Sequence, residues 1–331
     1  MEKIIAVVVS CNSYQQLKKC VQAIRNQSFP PDAIMVVNNG SADYTSVWLD
    51  NQLDIIHVYQ EHQGTAGGFR NGMEKAYELG YDWIWCMDDD GCPKEDALEK
   101  MMDHAVSKDT LYNSVLVDID DKKSFNWKLL HYKTVDEIET EELDGVCHPF
   151  NGAMIHRNII AKVGLPVSKL FYWGEGSEYF YRATKKHKIP AKTIVTSVHY
   201  HPTDRIELKK EWDFKDGWKM YFYIRNRFEV MKSKYNFMPL ALLMYWAFIP
   251  AFFIATLLYQ KKQRTKKLLF VFWPVIDAMC GAYGMTIQKV QRIMELQAQR
   301  NLASFFMEPI KKALIQFFVP SMDNLGETYS A

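Results

Sequence analysis

Four short apolar runs, each closed by a turn-forming segment, recur through the N-terminal part of the chain: Ile4 to Val9, Ala33 to Val37, Asp54 to Tyr59 and Asp82 to Met87. The first is continuous and β-branched, the pattern of a strand buried on both faces. Segments with helical spacing lie between them. Tyr14 to Asn26 sets Leu17, Val21 and Ile24 on one face behind Ser13 as cap, and Thr45 to Asn51 and Phe69 to Leu79 read the same way. Such alternation predicts an α/β fold, a mostly parallel sheet flanked by helices and joined by right-handed crossovers. Ligands of these sheets bind beyond the carboxyl ends of the strands. That rule selects the segments opening at Ser10, Asn38, Gln60 and Asp88.

Asp88-Asp89-Asp90 places three carboxylates at the end of the fourth strand, where they repel one another unless a cation compensates. Mg²⁺ and Mn²⁺ take hard oxygen ligands and keep positions open for substrate phosphates. Alternation along an extended chain sets Asp88 and Asp90 on one side. Taken alone, the run also suits an acidic turn ahead of Pro93. The glycine run Gly64-Thr65-Ala66-Gly67-Gly68-Phe69 follows the third strand and opens a helix, which allows backbone N–H groups to approach an anion. It has neither the dinucleotide spacing nor the P-loop lysine. Arg70 is a phosphate partner or an ordinary exposed helix arginine. The Asn38–Asp43 and Ser10–Asn12 segments are turns, and the Asn38 amide offers a donor and an acceptor suited to a pyrimidine edge. Phe171 to Tyr179 sets Glu175 and Glu178 beside aromatics, with a helix expected from Ser177 or Glu178 through Arg182. Those acids serve either the helix dipole or a general base beside an aromatic sugar platform. His199 and His201 alternate onto one face, where either could complete a metal site.

The full chain of 331 residues is 48% hydrophobic with a net charge of +1, which excludes disorder and removes any global nucleic-acid argument. Its six cysteines contain no C-x-x-C pair, so reduced thiols are expected. Met1-Glu2-Lys3 leads directly into the first strand without the features of a signal peptide. The acidic stretch 134–145 reads as a solvated loop. Composition changes near residue 206, giving a domain at 1–205 and a helical C-terminal region at 206–331. Phe237 to Tyr259 is uncharged, Lys261, Lys262, Arg264, Lys266 and Lys267 form a basic knot, and a second apolar stretch covers Leu268 to Ile287. Basic residues on both sides of the first run give no inside–outside asymmetry. Helices lying in the membrane interface, with the basic knot on anionic headgroups, are the preferred reading; a buried helical core or dimer interface, and a re-entrant or spanning hairpin, are the alternatives.

In order, these motifs resemble the inverting family 2 glycosyltransferases of the GT-A fold: the strand ending in Ser-Cys-Asn, Val36-Val37-Asn38-Asn39-Gly40-Ser41, the glycine loop, Trp83-Ile84-Trp85-Cys86-Met87 into the aspartates, the Trp-Gly-Glu segment and the late histidine. Gly67-Gly68-Phe69 and Tyr223-Ile224-Arg225-Asn226-Arg227 resemble the bacterial galactofuranosyl- and rhamnosyltransferase branch. The resemblance implies a GT-A domain (Rossmann-like and nucleotide-binding) with a membrane-associating helical tail. It implies Mn²⁺ or Mg²⁺ on Asp88, Asp90 and His201. Ser10, Cys11, Asn12, Asn38, Gly67, Gly68, Asp88 and Asp89 then face a UDP- or dTDP-linked sugar such as UDP-galactofuranose or dTDP-rhamnose. Trp173 and Gly174 face the acceptor, and Glu175 or Glu178 is the base. Two positions depart from the family pattern: Gly176 stands where the second acid of a pair is expected as base, and Asn38 where Asp is frequent. Glu175 is therefore the preferred base. The implied reaction moves a sugar to a lipid-linked saccharide during capsule or O-antigen synthesis, at the cytoplasmic face of a bacterial inner membrane, peripheral or monotopic. A homo-oligomer is left open and no nucleic acid is expected. A degenerate sugar-nucleotide-binding scaffold and a nucleotidyltransferase are the rival readings; the latter wants a lysine that the Ser10–Tyr14 turn lacks.

Overall fold

A computed structural model describes residues 2–147, 150–203 and 206–299. The chain divides into two compact units, Met1–Arg205 with Glu229–Ala241, and Ile206–Phe228 with the chain from Leu242 on. The first unit carries β1 (Ile4–Ser10), α1 (Tyr14–Arg25), β2 (Ala33–Asn39), α2 (Thr45–Asp50), β3 (Ile55–Gln60), α3 (Gly64–Glu78) and β4 (Trp83–Asp88). It continues through β5 (Cys92–Pro93), α4 (Ala97–His104), β6 (Leu111–Asp118), β7 (Ser124–Leu129), β8 (Tyr132–Thr134), β9 (Glu142–Asp144), β10 (Ala153–His156), α5 (Arg157–Val163), α6 (Glu175–Tyr181) and β11 (Ala191–His201).

The sheet runs β3-β2-β1-β4-β10-β6-β11-β5, with β7 joined to β6, β8 to β7 and β9 to β11. The strands β3, β2, β1 and β4 are parallel. Strand β10 is antiparallel to both β4 and β6, and β11 is parallel to β6. Register brings the strand ends together: Ser10 lies opposite Asn38, Val9 opposite Asp88, Asn39 opposite Gln60 and His201 opposite Asp118. Every position of β1 is buried. Ile5, Val7 and Val9 enter one core layer with Phe69 and Met73, while Ile4, Ala6 and Val8 enter the other with Leu17, Val21 and Ile24. A doubly covered central strand explains the unbroken apolar run. Between Ile194 and Val198, β11 bulges against Ser114 and Val115 of β6, and beyond the bulge it runs regularly to His201.

Helix α3 starts at Gly64, earlier than the expected Phe69, because its glycines let the helix lie close on the sheet. A Cβ at Gly68 would stand 2.4 Å from Val9 Cγ1, and one at Gly72 would stand 2.5 Å from Val7 Cγ1 and 2.9 Å from Val37 Cγ2. The stretch 134–145, expected as a solvated loop, is partly strand: Glu142–Asp144 pairs with β11. There Glu142 is held by the Lys192 ammonium and, at 2.7 Å, by His104 Nδ1.

Helices α7 (Trp218–Tyr235), α8 (Met238–Tyr259), α9 (Arg264–Cys280) and α10 (Ile287–Gln299) follow. Helix α8 continues through Pro250 and is the one helix among the described residues long and apolar enough to cross a membrane. It exposes Leu243, Trp246, Ile254, Leu257 and Leu258. Helix α9 departs from the interfacial expectation, since Phe270, Val271, Trp273 and Val275 are buried. Lys267, expected on lipid headgroups, is buried too. Its Nζ donates to Glu211 Oε1 (2.5 Å) and Gln260 Oε1 (2.9 Å) and lies over the Trp212 ring. An ammonium taken out of water needs such partners. Residues 300–331 of the expected helical tail lie outside the described residues.

Gly72→Ala should destabilise the fold by about 1–2 kcal/mol net, because overpacking against two stiff valines outweighs the gain in helix propensity. A drop in the urea midpoint checks this; an unchanged midpoint contradicts the close approach of α3.

Candidate active site

Strand β4 delivers Asp88 as its last residue, and a tight turn, with Gly91 N donating to Asp88 O at 3.2 Å, presents Asp89 and Asp90. Strand β11 delivers His201 to the same edge. Its Nε2 lies 3.1 Å from Asp90 Oδ1 and 4.0 Å from Asp88 Oδ2. One donor atom from each of Asp88, Asp90 and His201 falls within 4.8 Å of the others. The other ring nitrogen, Nδ1, is 2.7 Å from Pro202 O, an arrangement that turns Nε2 toward the carboxylates, as in a metal-ligating histidine.

The electrostatics of this cluster are internally compensated. Burial and the charge of Asp90 push the Asp88 carboxyl well up. Burial opposes ionisation of Asp90 as well, but the His201 hydrogen bond and charge outweigh it and hold Asp90 low. For His201, burial alone favours the neutral ring; the Asp90 hydrogen bond and the charges of Asp90 and Asp88 prevail and lift it to about 9. The protonated His201 ring thus offsets the aspartate charge; once it gives up its proton, two carboxylates and a neutral imidazole form a donor set that fits a divalent cation. Asp89 is turned elsewhere. Its Oδ2 accepts from Cys11 N at 3.3 Å, and burial, offset in part by the Ser10 hydroxyl, pushes its carboxyl to about 7.

His199 lies two residues before His201 but is fully enclosed, and neither ring nitrogen has a hydrogen-bond partner among the described residues. A Cβ at Gly91 would stand 2.3 Å from its Nε2, and Gly152 packs against the base of the ring. Burial drives its pKa down to about 3, so it remains a neutral packing residue outside the ligand cluster. Asn151 is a neighbour that sequence reasoning missed. With its amide nitrogen toward the carboxylate, it donates to Asp88 Oδ2 at 3.1 Å. It sits between Phe150 and Gly152, both at positive φ, and only that turn brings it to β4.

The loops after β1 and β2 are stitched together. Asn12 N donates to Ser41 Oγ (3.0 Å), Asn12 Oδ1 accepts from Ala42 N (2.7 Å), and Asp43 Oδ2 accepts from Tyr14 N (3.1 Å). Asn38 is fully buried. Its amide donates to Ser46 Oγ at 2.5 Å and accepts from Ser41 N at 3.0 Å. It is spent on the loop, in contrast with the expectation that it faces a base. Ser10 is also buried, and Cys11 Sγ lies 3.5 Å from His62 Nδ1. Gly67 and Gly68 are buried in α3, Gly68 against Val9 as described above and Gly67 against Gln63.

The segment before α6 is held in uncommon backbone. Phe171, Trp173 and Gly174 have φ of 65°, 59° and 100°. Non-glycine residues adopt such angles only when surroundings impose them. Gly174 is thereby the cap, and α6 begins at Glu175 rather than at the expected Ser177 or Glu178. The rings of Tyr172 and Trp173 stack with centroids 5.6 Å apart. Two glutamates on the next turn have different surroundings. Glu178 Oε1 and Oε2 receive Arg182 Nε (2.9 Å) and Nη2 (3.1 Å), and Ser233 Oγ adds a third hydrogen bond at 2.9 Å. Glu175 is 9% exposed; its Oε1 accepts from Thr65 Oγ1 at 2.7 Å, and its Oε2 has no partner among the described residues. Burial raises its pKa above the ordinary 4.5, with the Thr65 hydrogen bond acting in opposition. Its charge reaches Asp88, whose pKa it raises. A buried carboxylate with one unpartnered oxygen is chemically equipped to accept a proton.

Residues 5–164 match the family model Glycosyl transferase family 2. The chain is 27% identical over 249 residues to galactofuranosyltransferase GlfT1 of Mycolicibacterium smegmatis, covering 68% of this chain and 82% of that protein. It is 28% identical over 253 residues to galactofuranosyltransferase GlfT1 of Mycobacterium tuberculosis, covering 70% and 83%. Among solved structures, S. aureus TarS 1-349 superposes with a TM-score of 0.54 at 11% identity, covering 96% of this chain and 91% of TarS. The same protein in complex with UDP-GlcNAc gives a TM-score of 0.52. These likenesses to TarS show the fold, a GT-A-like one.

If Asp88, Asp90 and His201 hold a divalent cation, Asp90→Ala should weaken Mn²⁺ binding by at least about tenfold, the size of one lost charge-assisted contact. Calorimetric titration of Mn²⁺ into both proteins reads this directly; equal affinities would remove the cluster from consideration.

Proposed function

We propose, from the premise that this chain carries a family 2 glycosyltransferase domain and is related to galactofuranosyltransferases, that it transfers a galactofuranose-class sugar from a UDP-linked donor to a lipid-linked bacterial saccharide with inversion. A dTDP-rhamnose donor is the second form of the same reading. The observation that carries it is the buried, unpartnered Oε2 of Glu175 on the unit that also presents Asp88, Asp90 and His201 at one sheet edge. That TarS is solved with UDP and with UDP-GlcNAc supports a nucleotide-sugar donor.

Asp88, Asp90 and His201 would hold Mn²⁺ or Mg²⁺, which when bound supplies positive charge to the departing diphosphate. Glu175 takes the proton from the acceptor hydroxyl on Oε2. The acceptor oxygen attacks the anomeric carbon from the face opposite the diphosphate, and the bond from that carbon to the phosphate oxygen breaks. Inversion follows. Base catalysis contributes about 10²–10⁴-fold, and positioning supplies much of the remainder. Glu178 has a separate role: its pairing with Arg182, which also donates to Val163 O and Leu165 O, anchors α6. The stacked Tyr172 and Trp173 form the platform for a sugar ring. The Ser10–Asn12 and Asn38–Asp43 loops, tied to Asp89 and to each other, shape the nucleotide side. The domain boundary near residue 205 separates this machinery from a helical region that brings it to the cytoplasmic face of the membrane. The exposed Leu243, Trp246 and Leu257 of α8 enter the lipid, beside Lys261, Lys262 and Arg264. A non-catalytic scaffold, suggested by Gly176, is disfavoured by the unpartnered oxygen on Glu175.

A panel of UDP- and dTDP-sugars, assayed with a membrane-extracted pool of lipid-linked saccharides, should yield turnover with UDP-galactofuranose or dTDP-rhamnose. In that assay Glu175→Gln should lower the rate by about 10²-fold or more at unchanged donor affinity. Because the base works deprotonated and its pKa is raised, the wild-type rate should fall as pH drops through a value above 4.5. Wild-type rates in Glu175→Gln would refute the base assignment. For the membrane role, vesicles containing phosphatidylglycerol should sediment the wild type, and the double variant Trp246→Glu, Leu257→Glu should remain in the supernatant. Equal sedimentation of the two proteins would exclude α8 as the contact.

A further inference from the structure

The glycine loop touches the segment that carries the base at three consecutive residues. Gly64 lies so close that a Cβ there would stand 1.9 Å from Phe171 O, at a φ of 68° that already favours glycine. Ala66 N donates to the same Phe171 carbonyl at 3.2 Å. Between them, Thr65 Oγ1 donates to Glu175 Oε1 at 2.7 Å. A buried amide chain supports the loop from below: Asn39 Nδ2 donates to Gly64 O (2.9 Å), Gln60 Nε2 donates to Asn39 Oδ1 (2.7 Å), and Asn71 Nδ2 donates to Gln60 Oε1 (2.7 Å). Such a network is rigid when fully satisfied. The backbone it clasps, from Phe171 to Gly174, is the strained one.

We infer that Thr65 is a positioning residue for the base: its hydroxyl holds Glu175 by Oε1 and leaves Oε2 as the oxygen that receives the acceptor proton. This rests on reading Glu175 as the base. A carboxylate with two equivalent free oxygens could rotate about its terminal torsion, which is broad and two-fold. One hydrogen bond of 2.7 Å from a threonine fixed at a helix start removes that freedom. The glycine loop thus acts on the acceptor side of the reaction through Thr65, while Gly68 and Gly72 serve the packing of α3 on the sheet.

Among the described residues, these charged and titratable groups face Glu175. From β4 it is Asp88 whose pKa Glu175 raises, with Asp90 and His201 beyond. On its own helix, Glu178 and Arg182 pair with each other. From the α3 side the group is the Thr65 hydroxyl, and His62 stands edge-on to Phe171.

The test uses the full chain with the most active donor of the panel and the same acceptor pool, comparing wild type, Thr65→Val, Thr65→Ser and Glu175→Gln. Thr65→Val keeps the shape and removes the donor. It should lower the rate at saturating donor by about tenfold or more, the factor for a hydrogen bond to a charged group, with the donor KM unchanged. The acid limb should move to higher pH, because the lost hydroxyl had been lowering the Glu175 pKa. Thr65→Ser should restore both rate and limb. If Thr65→Val does not fold, as read by thermal unfolding, Thr65→Ala replaces it with the same expectations. A Thr65 variant with wild-type rate, or with a reduced rate and an unmoved acid limb, would overturn the proposal while leaving Glu175→Gln inactive. A fully active Glu175→Gln would instead overturn the underlying base assignment.

Discussion

Concentration of negative charge at one sheet edge is the constraint to which the rest of the first unit is fitted. Asp88 and Asp90 stand where β4 ends, and their mutual repulsion would favour protonation or unfolding without compensation. His201 answers that charge, and it can do so only because β11 runs parallel to β6 and ends at the same edge as β4. The parallel register of β1, β2 and β3 serves the same end. It sets the Ser10 and Asn38 turns beside the aspartates, where Asp89 fastens to Cys11 N. Three adjacent residues of identical chemistry thereby take two tasks, set by the side of the chain each occupies.

The two glutamates of α6 show the same division by environment. Glu178 is surrounded by donors from Arg182 and Ser233, so its ionised form is satisfied. Glu175, three residues earlier, is buried with a single donor. Desolvation raises the pKa of the one with fewer partners, as expected when a carboxylate loses water without regaining hydrogen bonds. The residue after Glu175 is Gly176, which brings no second carboxylate, so on the proposed reading the role of base falls to Glu175.

Much of this was legible from residues alone. The first four strands emerged from β-branched runs, because doubly covered parallel strands carry apolar residues on both faces. Strand alternation predicts that Asp88 and Asp90 share a side; the structure brings them together through the turn that follows β4 instead. Other features had no local signature. The early start of α3 depends on glycines whose purpose is clearance from Val9 and Val7, which appears only once helix and sheet are docked. Asn38 is polar and sits at a strand end, yet its amide closes its own loop. Thr65 meets Glu175 across 110 positions of sequence, and Asn151 reaches Asp88 through a turn at positive φ. Lys267 belongs to a basic run that reads as surface, but its ammonium is buried against a carboxylate and an indole that come from Glu211 and Trp212. Long-range partners of this kind are invisible to periodicity.

The bulge in β11 has an evolutionary corollary. Side chains alternate with a period of two along a strand, so the parity of the residues between Ile194 and Val198 decides which of Tyr200 and His201 meets the aspartates. Gain of a single codon in that short interval would bring Tyr200 to the place of His201, and loss of one would bring Pro202 there, with the hydrophobic layers upstream left in place. The bulge itself is fastened by Ser197, buried and hydrogen-bonded to Ser114 Oγ and Ala97 O, so both the number of residues in the interval and the chemistry of this one are tied to the placing of His201.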